Sequence, residues 1–156
     1  MNAAHLHILT SHVVVVGVPL VAFIFLLAFL KKSHPVFIAG CWMLLFVTLF
    51  AIPTYWAGGP AKELVEHLPH FDQEIQHTHE NLGQYVLLAN LVTGFWALVC
   101  LFYDSFRKKL PRVLITVMVL FLLADTALLL ITANYGSKII HQEVRSDGIS
   151  SSPSED

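Results

Sequence analysis

The stretch Leu82–Tyr103, LGQYVLLANLVTGFWALVCLFY, decides the fold. It holds 22 residues and no Asp, Glu, Lys or Arg. A helix crossing the roughly 30 Å hydrocarbon core of a bilayer needs about 20 mainly apolar residues. Three further runs meet that length: His12–Leu30, Pro35–Trp56 and Pro111–Ala133, the last with Arg112 at its edge and Asp125 inside. None alternates apolar and polar residues with the period of two that a membrane barrel requires. The whole chain agrees with its parts. It has 156 residues, 56% hydrophobic and 13% charged, with mean hydropathy +0.67. Soluble domains are about 45–50% apolar and about 25% charged, so an ordinary soluble domain and a disordered chain are both excluded. A net charge of −2 leaves no basic footprint for nucleic acid.

The expected fold is an all-α membrane protein, one up-and-down four-helix bundle over residues 1–145. Its membrane helices lie near residues 12–30, 35–56, 82–103 and 111–133, with helical extensions on the outer side. Short first and third connections make consecutive helices antiparallel neighbours. Pro69 is suited to opening a helix, which places the start of the third near His70. Ala61–Leu68 reads as a short amphipathic surface helix. The Ser-rich tail 146–156 reads as disordered. The first run does not read as a cleaved signal peptide, because residues 1–11 lack the positive n-region.

Lys31, Lys32, Arg107, Lys108, Lys109 and Arg112 all fall in the first and third connections, against Lys62, Lys138 and Arg145 elsewhere. The positive-inside rule then puts both termini and the acidic Ala57–Asn81 connection on the non-cytoplasmic side. Trp42, Trp56 and Trp96, with Tyr55, Tyr85 and Tyr103, mostly sit near run ends, as interfacial aromatic belts do. Cys41 and Cys100 lie inside apolar runs and read as packing residues.

On this topology eight of the nine histidines fall on one side: His5, His7, His12, His67, His70, His77, His79 and His141. His34 is the exception. Imidazole ligates iron, copper and zinc, and bundles gather ligands from facing helices. At 100° per residue, His79 shares a stripe with Gly83, Asn90, Gly94 and Ala97, the small and polar inward face common in membrane helices. His77 and His70 fall nearly opposite. His77 and His79, about 200° apart, do not bind one ion from a regular helix. His12 shares a face with Val16, Pro19 and Phe23 at about the depth of His79. A His12–His79 pair has the form of bis-imidazole haem ligation, with His7 and His141 as a second pair or hydrogen-bond partners and His77 as a weaker ligand. The single Glu74-x-x-His77 does not make a di-iron site, which needs two such pairs and further glutamates. Asp125, Asn90 and Thr48 each lie eight residues from an outer run end. They form one polar layer in this reading, with Asp125 and Asn90 supporting the ligands or handling protons. An ordinary interhelical hydrogen bond is the other reading of that layer.

The stretch HILTSHVVVVGVPL, His7–Leu20, resembles the opening of the bacterial membrane family called domain of unknown function 2231: two histidines five apart, then an apolar helix with a proline. TANYGSKIIHQEV, Thr132–Val144, resembles its ending, with Ser137 where the family has the second of two glycines. Pro19 comes seven residues after His12, whereas the family's proline follows the second histidine directly. The resemblance implies a four-helix domain of the bacterial inner membrane with haem on its outer-side histidines. It raises His7, His12, His79 and His141 as ligands.

The resulting expectation is a small b-type cytochrome-like subunit that exchanges electrons with quinone or a periplasmic redox protein. No nucleophile–base constellation appears, so independent catalysis is not expected, although an electron-transfer subunit of an oxidoreductase fits. Two alternatives stand beside it. One is a cofactor-free structural or accessory subunit of a larger membrane complex. The other is a divalent-metal (Zn or Cu) binder or transporter loading at the His-rich outer loop.

Overall fold

The structure is a computed structural model and describes residues 2–107, 110–141, 144 and 145. These residues form four helices and no strand: α1 (Ala3–Leu30), α2 (His34–Val65), α3 (Gln73–Arg107) and α4 (Arg112–Lys138). Each is long and apolar enough to cross a membrane. The helices close a ring in which α1 touches α2 and α4, and α3 touches α2 and α4. Cross-helix bonds set the directions. His7 of α1 meets Thr54 of α2, His34 of α2 meets Asp104 of α3, and His79 of α3 meets Thr132 of α4. Neighbours therefore run antiparallel, up and down. One end of the bundle carries the start of α1, the end of α4 and the α2–α3 loop; the other carries the α1–α2 and α3–α4 connections.

The ring follows from one pattern repeated four times. The buried residues are Val14, Val18, Val21, Phe25 and Ala28 on α1, and Phe37, Cys41, Leu44, Thr48 and Ala51 on α2. On α3 they are Val86, Asn90, Thr93, Ala97 and Cys100, and on α4 Met118, Leu122, Asp125, Leu129 and Thr132. Steps of three and four residues keep one stripe of each helix inward, the geometry of shallow-angle bundle packing. The outward faces carry large apolar side chains, Trp56 75% and Phe102 69% exposed among them. A soluble protein does not clothe itself this way over all four helices; the surface fits a multi-pass membrane protein.

Close approach of the helices depends on glycine. A β-carbon at Gly94 would sit 2.6 Å from Thr48 Oγ1 and 2.7 Å from its Cγ2, so α2 and α3 touch there nearly backbone to side chain. Gly17 of α1 packs against Val47 of α2 in the same manner, at 2.6 Å.

The ends are tied individually. The α1–α2 hairpin places Lys32 at φ 51°, while Ser33 N–H donates to Ala28 O at 2.9 Å. Asp72 caps α3: its Oδ1 accepts the Ile75 N–H at 2.9 Å. The start of α3 at Gln73 therefore lies three residues beyond His70, which sits at φ 69° outside the helix. Side-chain capping by Asp72 selects the start, not Pro69. The segment Ala61–Val65 is no separate surface helix. α2 continues through Pro53 and Pro60 to Val65. Arg145 closes the far end of α4. Its guanidinium donates to Lys138 O and Ile139 O, both at 2.8 Å, and to His70 O at 3.0 Å. It also pairs with Asp72 at 3.4 Å. A cation on the last carbonyls satisfies groups that the helix itself leaves open and complements its dipole. The tail 146–156 lies outside the described residues.

Replacing Gly94 with Ala forces its methyl into Thr48. Overpacking of this kind costs about 1–3 kcal/mol. Thermal unfolding in detergent should show the loss, and adding Thr48→Ala should recover part of it. An unchanged melting point for G94A would contradict the close α2–α3 contact.

Candidate functional site

The inward stripes converge on one layer at the terminal end of the bundle. Stepping outward by threes and fours, α1 reaches Thr10 and His7, α2 reaches Thr54 and Gly58, α3 reaches Gly83 and His79, and α4 reaches Thr132 and Gly136. Around the ring the layer therefore reads His, Gly, His, Gly. The two histidines stand on diagonal helices, and each lies against the glycine of its hairpin partner.

The two halves are built alike. His7 Nδ1 lies 2.8 Å from Thr54 O; His79 Nδ1 lies 2.9 Å from Thr132 O. Each acceptor carbonyl sits four residues before the glycine that the ring packs on: a β-carbon at Gly58 would meet His7 Cε1 and Nδ1 at 3.6 Å. One at Gly136 would meet His79 Cε1 at 2.9 Å and Nδ1 at 3.1 Å. The ring centres are 6.3 Å apart with planes at 85°. Both histidines are half-buried.

The bonds determine the chemistry. A carbonyl oxygen accepts and never donates, so each Nδ1 carries the proton. In the neutral ring Nε2 then holds the free lone pair. Metal-ligating histidines have this arrangement, with the second ring nitrogen donating to a carbonyl that fixes tautomer and orientation. Two such rings form a pair of soft-to-borderline nitrogen donors on opposite sides of a bundle core.

The other sequence candidates lie elsewhere. His12 is exposed, and its Nδ1 bonds Ile8 O on its own helix at 2.6 Å. It borders an open apolar groove between α1 and α2 with Leu9, Trp42 and Phe46. The partner that the structure brings to His79 is His7, in place of the expected His12. His77 is exposed and meets Asn81 Nδ2 at 3.2 Å. His141 is exposed and follows the end of α4. Asp125 and Asn90 do meet, with Asn90 Nδ2 donating to Asp125 Oδ1 at 2.8 Å. Thr48 Oγ1 reaches Asn90 O at 3.4 Å, so the three residues share a layer. That layer is well down the bundle from the histidines. Asn90 is eleven residues from His79, about 16 Å along the axis, so it does not support the ring pair directly. The residues of this layer that sequence reasoning passed over are Gly58 and Gly136. Their signal is a Thr-x-x-x-Gly spacing, present at Thr54–Gly58 and again at Thr132–Gly136.

Among the described residues, no group of three or more His, Cys, Asp or Glu comes together as a metal site. Zinc sites draw three or four protein ligands, and a bare pair of imidazoles falls short of that. No protein-family model, curated protein or solved structure matches the chain.

The two glycines make unequal predictions. Gly136→Ala pushes the His79 ring off Thr132 O and strands polar groups, a loss of about 1 kcal/mol or more. Gly58→Ala makes only ordinary contact with His7 and should be neutral, or stabilising by about 0.5–1 kcal/mol through helix propensity. Melting points of the two variants in one detergent check the asymmetry; equal effects would contradict it.

Proposed function

We propose that this chain is a small b-type cytochrome-like membrane protein in which His7 and His79 are the axial ligands of one haem. The observation that carries the reading is the pair itself: two diagonal histidines, each with Nδ1–H anchored to a neighbouring backbone carbonyl and Nε2 left with its lone pair. The closeness of the two rings, with centres 6.3 Å apart, supports it. A haem supplies its own equatorial donors and asks the protein for two axial ones, which suits a two-histidine site better than zinc does.

In this reading haem provides one-electron redox chemistry. The chain supplies the rest. Thr54 O and Thr132 O hold the tautomers, Gly136 leaves room for the His79 ring, Gly58 lies against the His7 ring, and the apolar bundle below keeps water away. Electrons pass to or from a membrane quinone or a periplasmic redox protein at the exposed end of the bundle. The positive charges at the hairpin end orient the protein, so both termini and the histidine layer face outward from a bacterial inner membrane. The His7–Leu20 and Thr132–Val144 stretches support kinship with the four-helix family that they resemble, domain of unknown function 2231.

The test is spectroscopic. Protein expressed in a haem-replete host and purified in mild detergent is expected to show sharp reduced bands of the low-spin type, with about one haem per chain. His7→Ala and His79→Ala should each reduce bound haem below about a tenth of wild type, whereas His12→Ala and His77→Ala should keep it. A featureless spectrum from folded protein, or haem loss on replacing His12 but not His7, would overturn the assignment.

A further inference from the structure

The buried carboxyl group in the middle of the bundle is not used by the histidine pair. Asp125 and Asn90 are both 0% exposed and joined by one hydrogen bond. Asn90 spends its amide hydrogens on Asp125 Oδ1 at 2.8 Å and Val86 O at 3.3 Å. Its amide orientation is thereby fixed, because a flip would set oxygen against two acceptors. Each residue is left with one oxygen that has no hydrogen-bond partner: Asp125 Oδ2 and Asn90 Oδ1. The Thr93 hydroxyl lies beside the carboxyl but donates to Ala89 O at 2.7 Å, so it too presents an oxygen lone pair. Thr126 Oγ1, one residue along α4, is also buried without a partner.

The pocket is rich in acceptors: the Asn90 amide hydrogens are spent on Asp125 and Val86, which leaves the Thr93 and Thr126 hydroxyls as its remaining donors. It has no counter-charge. No Lys or Arg occurs between Arg112 and Lys138, each thirteen residues from Asp125, about 20 Å along the axis. None occurs in residues 1–30, 33–61 or 63–106 either. α1 presents Val14, Val18 and Val21 to the core, and α2 presents Thr48. The next titratable groups on the inward stripes are His79 toward one end and Cys100, with Cys41 against it, toward the other. A buried charge without a partner is among the costliest features that a fold can carry. In a membrane helix an ionisable side chain commonly marks an ion or proton pathway.

We propose that Asp125 and Asn90 form a binding site for one positive charge, a proton or a monovalent metal ion, held between Asp125 Oδ2 and Asn90 Oδ1. One carboxylate sets the charge at one, and an all-oxygen donor set suits a hard cation. Thr93 completes the surroundings. This site stands on different residues from the haem reading and does not depend on it.

The experiment uses the full chain purified in detergent, with or without haem. Infrared difference spectra at neutral pH look for the carbonyl stretch of a protonated carboxyl group and its shift in D₂O. Binding of radiolabelled sodium, with lithium and potassium as competitors, is measured in parallel. A protonated-carboxyl band that is missing from Asp125→Asn identifies the proton. Saturable sodium binding near one ion per chain, lost in D125N, identifies a metal ion. Asn90→Leu, which keeps the carboxyl, should displace the band or weaken sodium about 10-fold. Wild-type protein that shows neither the band nor saturable binding of any of the three ions overturns the proposal, and that result needs no variant to fold.

Discussion

An apolar bundle core offers a polar group few partners, so its hydrogen bonds are made mostly to another helix or to the same one. That constraint organises the whole molecule. The threonines of the core return their hydroxyls to carbonyls one turn back: Thr10 to Leu6, Thr54 to Phe50, Thr93 to Ala89 and Thr132 to Leu128, at 2.7–2.8 Å. Such back-bonding hides the donor without a partner helix. Polar groups that cannot fold back cross the gap, and those crossings define the bundle. His7 to Thr54 and His79 to Thr132 bind each hairpin near its open end. Asn90 to Asp125 joins α3 and α4 in the middle. Asp104 and His34 join α2 and α3 at the hairpin end.

The same constraint explains why histidine and glycine share a layer. An imidazole is too large to sit between two tightly packed helices unless the facing residue yields. At Gly136 the yield is complete, since even one methyl group would collide with the ring. Once seated, the ring has one nitrogen against the helix and donates there. The other nitrogen, Nε2, keeps its lone pair; in His79 it too lies close to α4, 3.6 Å from where a β-carbon on Gly136 would sit.

Much of the fold was legible in the sequence because hydrophobic length and charge placement act over whole helices. Four runs and two short connections fit only a few topologies, and the observed ring is the simplest of them. The His79 stripe was also legible, because phase holds along an unbroken α3. The depth of the Thr48–Asn90–Asp125 layer followed from counting residues along straight helices. Depth and the Val16–Pro19–Phe23 face point to His12, whereas the ring that lies near His79 is His7. Carried outward from Val21, Val18 and Val14, the inward stripe of α1 runs through Thr10 to His7 and leaves His12 on the outer face. The start of α3 depended on a local contest between Pro69 and the Asp72 cap, and side-chain capping won. α2 continues through Pro53 and Pro60, although a proline removes a backbone donor and disfavours a helix interior.

A weak two-fold relation between the halves follows from these details. Each hairpin offers one histidine from its first helix, one carbonyl and one glycine from its second, with the same four-residue step between them. The hairpins touch α2 to α3 and α1 to α4, and the two rings come together only when the hairpins pack. A site split in this way exists only in the assembled bundle. Any group that binds His7 and His79 together binds the assembled state alone, and so stabilises it by mass action. Asp125 lies on the α3–α4 side only, and a charge taken up there acts within one hairpin. The two features therefore differ in symmetry: a histidine layer shared between the halves at one end, and at the centre an Asn90–Asp125 bond within one hairpin, which Thr48 of the other hairpin meets at Asn90 O.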